Sequence, residues 1–342
     1  MKEIRVEEAV GKVLCHDLTQ IIRGVTKDAR FRKGHVIQEE DIPVLLSMGK
    51  DHIFVWENDG TKLHEDEGAE ILRQLTQNQG MAASEPKEGK IELTAQYDGV
   101  FHVDEERLAA INGIGDIAIA TIPQHFPVKK GTKLAGMRVI PLVIDREKME
   151  AVRKLAGDKP LMELRPYRKM KVGLVTTGTE VFAGRIKDTF TPVIAAKLKA
   201  FGLQIDEHRL SDDVMEHTKA KIEELLALGM DMVLCTGGMS VDPDDRTPAA
   251  IRAAASRVVT YGVPVLPGAM FLLAYWEKEG RRVPIAGLPG CVMYSPATIF
   301  DLVLPRLLTG EDIPKNDLDR LGVGGLCMGC KPCHYPFCSF GK

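Results

Sequence analysis

The sequence predicts an α/β protein whose C-terminal part, residues 166–310, forms a three-layer α/β/α domain around a parallel sheet. From Lys169 onward, short apolar runs alternate with helical patterns of about ten to fifteen residues. Several of these runs end in glycine-bearing turns, as strands do before a crossover. Strands that alternate with helices of this length form parallel sheets covered on both faces, so the order of elements itself indicates the fold class.

The individual elements follow from apolar periodicity and from proline and glycine punctuation. The predicted strands are KVGLVTT, LQIDEHRL, DMVLCTGG, RVVTYGVPVLPG and RRVPIAGLPG. The predicted helices are TPVIAAKLKAFG, DDVMEHTKAKIEELLALG, TPAAIRAAAS and SPATIFDLVLPRLL. Gly202 and Gly229 close two helices, and Pro248 suits the first turn of a third.

The rest of the chain reads as smaller units: a mixed α+β module over residues 1–85, a β-rich module over 86–165 and a cysteine-rich tail over 311–342. In the first module we expect a helix that Asp41 caps, a buried strand from His52 to Trp56 and a helix over about 66–79. Residues 81–89 read as a linker, and short β-like runs fill 90–145. Single, scattered histidines in this half favour structural roles.

Composition excludes several classes of protein. A net charge of -3 gives no basic excess for nucleic acid. No apolar run reaches 18 residues, since prolines and Gly268 interrupt the most apolar stretch, Val263 to Trp276. The first residues lack the pattern of a secretory signal. We therefore expect a cytoplasmic protein with no membrane span and no nucleic-acid partner.

Four predicted turns share small residues, often with hydroxyls, and should meet at the carboxyl edge of the sheet, where ligands bind such folds. Glycine lets backbone amides approach an anion closely, so four such turns favour a phosphorylated ligand. The candidate ligand-binding residues are Thr176, Thr177, Gly178, Glu180, Thr236, Gly237, Gly238, Ser240, Pro267, Gly268, Pro289, Gly290 and Cys291.

Acidic residues lie beside these turns. Asp242, Asp244 and Asp245 follow the glycine pair, and Asp188 precedes the first helix. Each one taken singly is a plausible helix cap, which needs no other purpose. Together, carboxylates beside phosphate-binding turns can hold Mg²⁺. Asp245, Asp188 and Asp242 are therefore the candidate catalytic residues, with Asp245 as the Mg²⁺ ligand.

The series TTGTE, GRIKD, SDD, TGG-x-S, VLPG and GLPG resembles the molybdopterin-binding domain of the molybdenum-cofactor biosynthesis families, over roughly residues 168–310. Asp245-Arg246-Thr247-Pro248 is similar to a motif of the molybdopterin adenylyltransferases. VTTGTEV, GGMS and the N-terminal EEAVGKVL resemble the molybdopterin molybdotransferases instead. Two departures stand out: that family's PGKP appears as Pro267-Gly268-Ala269-Met270, and its LPGNP as Leu288-Pro289-Gly290-Cys291-Val292.

The resemblance implies molybdopterin or its adenylylated form as ligand, molybdate and Mg²⁺ as further partners, and a homo-oligomer. It implies molybdotransferase-like activity, with an adenylyltransferase as the alternative. The substituted loops keep open a third possibility, a non-catalytic carrier or sensor that serves a molybdoenzyme.

The C-terminal tail carries four cysteines, Cys327, Cys330, Cys333 and Cys338, in the spacing C-x2-C-x2-C-x4-C. Ordering each residue costs about 1–2 kcal/mol, and a tail rich in glycine and proline offers little core to offset that cost. A bound metal contributes on the order of 10–16 kcal/mol. Zn²⁺, with His334 as a further candidate ligand, and an iron–sulfur cluster both fit four thiolates. A disordered tail and a thiol role at the ligand site remain the alternatives.

Overall fold

The computed structural model describes residues 2–22, 26–55 and 60–342. These residues form two compact units. The first comprises residues 1–97, 101–122 and 129–164, and the second comprises 98–100, 123–128 and 165–342. Among the described residues, no helix combines the length and the apolarity that a bilayer crossing requires.

Before residue 167 the described part of the chain is built from short strands and four α-helices. The strands are β1 (Lys2–Arg5), β2 (Leu18–Ile22), β3 (Thr26–Phe31), β4 (His52–Val55), β5 (Lys62–His64), β6 (Met81–Ala83), β7 (Lys90–Ala95), β8 (Gly99–Val103), β9 (Ile117–Thr121), β10 (Phe126–Val128), β11 (Lys133–Val139), β12 (Val143–Asp145) and β13 (Met162–Pro166). The helices are α1 (Asp41–Ser47), α2 (Glu65–Thr76), α3 (Glu105–Asn112) and α4 (Arg146–Ala156).

The first unit contains a four-stranded antiparallel sheet in the order β6-β7-β11-β9, against which α2 packs. The predicted linker at 81–89 is wrong at its start, because Met81–Ala83 pairs with β7. The predicted strand at 52–56 is confirmed over His52–Val55, and Trp56 lies outside the described residues. Helices α3 and α4 were not predicted. Asp41 does not cap α1, since its carboxylate accepts from the Gln38 amide and bonds to His35.

The second unit continues with six strands and six α-helices over its fully described residues 167–342, most of them within about three residues of the predicted bounds. The strands are β14 (Val172–Thr177), β15 (Ile205–Ser211), β16 (Met232–Thr236), β17 (Arg257–Tyr261), β18 (Leu272–Lys278) and β19 (Arg281–Leu288). The helices are α5 (Thr179–Phe182), α6 (Phe190–Lys199), α7 (Met215–Ala227), α8 (Thr247–Ala254), α9 (Ile299–Leu308) and α10 (Lys315–Arg320).

These strands form one sheet in the order β15-β14-β16-β19-β18-β17. The predicted parallel sheet is confirmed for β15, β14, β16 and β19. Strand β18 was not predicted as a strand and runs antiparallel to both of its neighbours. Strand β17 therefore points the same way as β19. The carboxyl ends of β14, β16, β17 and β19 consequently lie at one edge of the sheet, as the sequence predicts.

Two apolar clusters cover the two faces of this sheet, which confirms the three-layer fold. One cluster packs α6 and α9 against the sheet, and the other packs α7 and α8 against its opposite face. Tyr275 and Phe300 are among the largest fully buried side chains of the first cluster. Burial of apolar surface on both faces explains why the central strands read as continuous apolar runs rather than as alternating ones.

Candidate functional site

An open pocket of about 610 Å³ lies at the carboxyl edge of the sheet. Two of the four predicted turns contribute to it, together with the two residues that follow a third turn and one residue of α6. The lining residues are Phe190, Gly237, Gly238, Met239, Ser240, Asp245, Ala269, Met270, Leu288, Pro289, Gly290, Cys291, Met293 and Tyr294. Among these described residues, Asp245 has the one charged side chain. The volume suits a ligand of cofactor size.

The glycine pair after β16 is required by packing of the fold. Gly237 has a φ of +86°, and a Cβ there would lie 2.3 Å from the carbonyl oxygen of Thr177. Gly238 has a φ of +54°, and its Cβ would lie 2.8 Å from the hydroxyl of Thr247. Both positions therefore need glycine for close approach of chain segments, whatever ligand they also face.

Buried threonines join the ends of β14 and β16. The Thr177 hydroxyl donates to the carbonyl of Thr236 over 3.2 Å and lies 3.0 Å from the hydroxyl of Thr247. Thr176 is only 1% exposed, and its hydroxyl lies 3.0 Å from Nε2 of His208. The structure thus places Thr176, Thr177 and Thr236 beneath the pocket, where they fix its loops, and none of the three is in its lining.

Asp245 reaches the pocket because the loop that carries it folds back on itself. The Ser240 amide donates to Oδ2 of Asp245 over 2.7 Å, and the Asp245 amide donates to the Asp242 carbonyl over 2.9 Å. Oδ1 of Asp245 accepts no hydrogen bond from the described residues. Asp245 does not cap α8, whose start shows no side-chain cap. One carboxylate oxygen is therefore available to a cation in the pocket.

Asp188 is committed to the start of α6. Its Oδ1 accepts from the amides of Phe190 (2.8 Å) and Thr191 (3.1 Å), and its Oδ2 accepts from the Thr191 hydroxyl. Burial raises the pKa of the Asp188 carboxyl, but these hydrogen bonds and nearby His208 more than offset that effect, so the pKa lies below its ordinary value. Asp188 was predicted either to cap the helix or to act as a catalytic acid, and its contacts are those of a helix cap.

Asp242 is exposed, does not line the pocket, and accepts the Asp244 amide at 3.3 Å. In the part of the chain that the structure describes, no set of three metal-binding groups within 4.8 Å includes Asp188, Asp242 or Asp245. The structure therefore does not bring the three candidate catalytic acids together, and only Asp245 meets the pocket.

The turn after β14 is held by an acid that sequence reasoning did not select. Oδ2 of Asp213 accepts from both the amide and the hydroxyl of Thr179, each over 2.8 Å. Gly178, with a φ of +134°, precedes this turn. Glu180 is exposed and does not line the pocket. The pattern Ser-Asp-Asp at the end of β15 was visible in the sequence, but its partner Thr179, at the start of α5, was not.

The last two turns take different positions. Pro267 and Gly268 lie against the start of α9, where the Ile299 amide donates to the Pro267 carbonyl and a Cβ at Gly268 would lie 2.4 Å from Ile299. Their successors Ala269 and Met270 line the pocket instead. Gly290 and Cys291 do line it, and a Cβ at Gly290 would meet no atom within 4 Å. Burial raises the pKa of the Cys291 thiol above its ordinary value.

The tail is ordered by packing, so the premise that it has little core of its own is wrong. Phe340 is 3% exposed within the main apolar cluster, and Cys327, Tyr335 and Cys338 pack against that cluster. All four tail cysteines are described, and no three of their sulfur atoms lie within 4.8 Å of one another. Metal binding by these cysteines therefore stays a prediction, because packing already offsets the entropy lost when the tail becomes ordered.

Residues 173–309 match the family model described as probable molybdopterin binding domain. The match confirms the resemblance carried by the glycine-bearing turns. A second model, described as a domain of unknown function (DUF8806), covers residues 3–57.

Among curated relatives, a CinA-like protein of Desulfosudis oleivorans is 37% identical over 84 residues, which are 25% of this chain and 20% of the relative. A molybdopterin molybdenumtransferase of Synechococcus elongatus is 26% identical over 163 residues, which are 45% of this chain and 38% of the relative. The chain thus spans between a fifth and two fifths of the length of these two relatives. Among solved structures, the molybdopterin biosynthesis enzyme MoaB of Thermus thermophilus aligns with 42% of this chain and 98% of its own, at 23% identity and a TM-score of 0.34.

Proposed function

We propose that the pocket binds the phosphate of molybdopterin or of its adenylylated form, with Mg²⁺ held by Asp245, in a step of molybdenum-cofactor maturation. One observation carries the proposal. The pocket of this molybdopterin-binding-type domain has a single charged side chain among its described lining residues, Asp245, and one oxygen of that carboxylate has no partner among the described residues.

The backbone supplies the hydrogen-bond donors. The amides of Gly238 and Met239 donate no hydrogen bond to the described residues, and both residues line the pocket. Such amides bind phosphate oxygens without a cationic side chain. Apolar side chains such as Met270 and Tyr294 offer contact surface for a flat ring beside them.

Mg²⁺ fits this donor set. The ion is bound in many proteins by one or two carboxylates together with substrate phosphates and waters. Asp245 alone therefore suffices, and Asp188 would have to give up its helix cap to take part. When bound, Mg²⁺ would neutralise and polarise the phosphate. Asp245 orients the ion, while the Ser240 amide holds Asp245 in place.

The proposed activity is molybdotransferase-like, with molybdate as a second substrate, and adenylyl transfer is the alternative. A separate observation favours a non-catalytic carrier or sensor that serves a molybdoenzyme. No lysine or arginine belongs to the pocket lining within the described chain, and the family's PGKP lysine is replaced by Ala269, which Met270 follows. Without that lysine, the site can still bind an anionic ligand through backbone amides and Mg²⁺. It lacks, however, one cationic group that could stabilise molybdate as a second anion.

Binding is tested by titrating the purified full-length protein with molybdopterin, with Mg²⁺ and with a chelator. We expect the chelator to weaken parent binding about tenfold or more, which corresponds to about 1.4 kcal/mol. Asp245→Asn should bind like the chelated parent and lose its response to Mg²⁺. Asp242→Asn, which changes an exposed carboxylate outside the pocket, is the matched control. An undiminished Mg²⁺ response in Asp245→Asn would refute the assignment.

Turnover is tested in the same preparation with molybdopterin, molybdate and Mg·ATP under single-turnover conditions. A molybdenum-containing product supports the molybdotransferase, and an adenylylated product without molybdenum supports the adenylyltransferase. Retention of unchanged molybdopterin by a protein that binds it tightly supports the carrier.

A further inference from the structure

The tail forms a loop that is pinned at both ends. At its start, the Leu266 amide donates to the Gly325 carbonyl and the Cys327 amide donates to the Leu266 carbonyl, each over 2.8 Å. At its end, the Tyr335 hydroxyl donates to the Asp301 carbonyl over 2.7 Å, and Phe340 is buried. The segment from Met328 to Pro336 is therefore held between two fixed points.

Between these points the backbone amides lack hydrogen-bond acceptors within the described chain. All residues from Met328 to Pro336 are described, and none of their amides donates a hydrogen bond to another residue of the described chain. Unpaired amides in a folded segment point to water or to a ligand as acceptor. Four thiols lie on or beside this same segment: Cys330 and Cys333 are exposed, while Cys327 and Cys338 are half-buried against the core.

The spread of the thiols argues against a mononuclear metal. Tetrahedral zinc with Zn–S bonds of about 2.3 Å places its sulfur ligands about 3.8 Å apart. No three sulfur atoms of the four described tail cysteines come within 4.8 Å of one another. A polynuclear cluster allows larger distances between the ligand sulfur atoms, because each thiolate can bind a different iron. The C-x2-C-x2-C spacing is also that of the first three ligands in a bacterial ferredoxin run.

The charge of the segment fits a cluster as well. Residues 321–342 contain no aspartate or glutamate, Lys331 lies between two of the cysteines, and Lys342 follows the last of them. An iron–sulfur cluster with four thiolate ligands is anionic, and amide hydrogen bonds to its sulfur atoms tune it. The unpaired amides, Lys331 and the lack of acidic residues within this stretch of sequence are all compatible with an anionic group.

We propose that Cys327, Cys330, Cys333 and Cys338 bind a cuboidal four-iron cluster, enclosed by the unpaired amides between Met328 and Pro336. The cluster would lie beside the loop that begins at Leu266 and continues into Ala269 and Met270, which line the ligand pocket. This inference does not depend on the proposed function, since it rests on the tail alone.

The test uses the full-length protein purified without oxygen and reconstituted with ferric iron, sulfide and excess thiol, which reduces part of the iron to the ferrous state. We expect about four iron and four sulfide per chain, and a broad visible absorption that fades on reduction. Cys330→Ser and Cys333→Ser should each lower the iron content and abolish the absorption. Both cysteines are exposed, so the cooperative unfolding transition should persist and show that the fold is intact.

His334→Ala and Met328→Ala are the matched controls in the same loop, and both should keep the cluster. Stoichiometric zinc without colour would overturn the proposal, and so would one iron per chain without sulfide. A reconstituted parent that holds neither iron nor zinc, with four titratable tail thiols, would overturn it too.

Discussion

The hydroxyl groups of Thr177 and Thr247 lie 3.0 Å apart and join the end of strand β14 to the first residue of helix α8. Both side chains are buried, and the Thr177 hydroxyl also donates to the carbonyl of Thr236 on the neighbouring strand. A single hydroxyl thus connects three segments beneath the pocket.

Thr177→Val should lower the free energy of unfolding by about 1–3 kcal/mol, because it leaves buried polar groups without a partner while nearly preserving shape. Denaturant unfolding measures the change. Thr247→Val and the double variant complete the cycle. We expect the free energy of unfolding of the double variant to fall by less than the sum of the two single decreases, because each single substitution already removes the same hydroxyl–hydroxyl interaction. Strict additivity would show that the two hydroxyls do not interact.

Gly290→Leu should block the pocket without unfolding the protein. A Cβ at Gly290 meets nothing within 4 Å, so the side chain can extend into the pocket without clashing at its base. Affinity for molybdopterin should fall by at least about tenfold, with the thermal transition nearly unchanged. Gly237→Leu is the contrasting variant, because its Cβ would lie 2.3 Å from the Thr177 carbonyl and should destabilise the fold itself. Parent-like binding by a folded Gly290→Leu would place the ligand elsewhere.

The pKa of His208 should depend on the charge of the nearby Asp188 carboxylate, which caps α6. Burial lowers the pKa of His208, Asp188 raises it, and the net value lies below the ordinary 6.5. The stability that neutral His208 contributes is therefore present above pH 6.5 and is lost as the pH falls through the lower folded-state pKa. His16 and His64 have pKa values lowered by burial as well, so His208→Gln should remove only part of the acid-side loss.

NMR titration isolates the pair. Asp188→Asn keeps an oxygen that can accept the amides of Phe190 and Thr191 but removes the charge, so the His208 pKa should fall further. A His208 pKa that does not move in Asp188→Asn would show that the two side chains, 3.8 Å apart, are not coupled.

Phe340→Ala should destabilise the protein by about 3–5 kcal/mol, as expected for a large aromatic side chain removed from a core. Phe337→Ala is the control within the same tail, because Phe337 is 77% exposed and its removal should change stability by no more than about 0.5 kcal/mol. Denaturant unfolding of both variants provides the comparison. Equal, small effects would mean that the tail does not belong to the folded core.

The sequence by itself determined most elements of the second unit and the edge of the sheet where its turns meet. Local features of the sequence predict these elements. The apolar periodicity predicts strands such as Val172–Thr177, and glycines predict the helix ends at Gly202 and Gly229. The capping role of Asp188 was equally local, since its partners are two and three residues away. Chain direction then placed the carboxyl ends of the parallel strands together.

Tertiary structure alone decided what the candidate residues do. Strand β18 was hidden because its first residues are buried on both faces, which gives no alternation to recognise. Asp213 contacts Thr179 and His208 contacts Thr176, each pair more than thirty residues apart along the chain, and no local periodicity predicts such contacts. Asp245 reaches the pocket while Asp242 does not, because a single backbone turn sets the direction of each carboxylate. The tail acquired its order from Leu266 and the α9 face, surfaces that exist only once the sheet has formed.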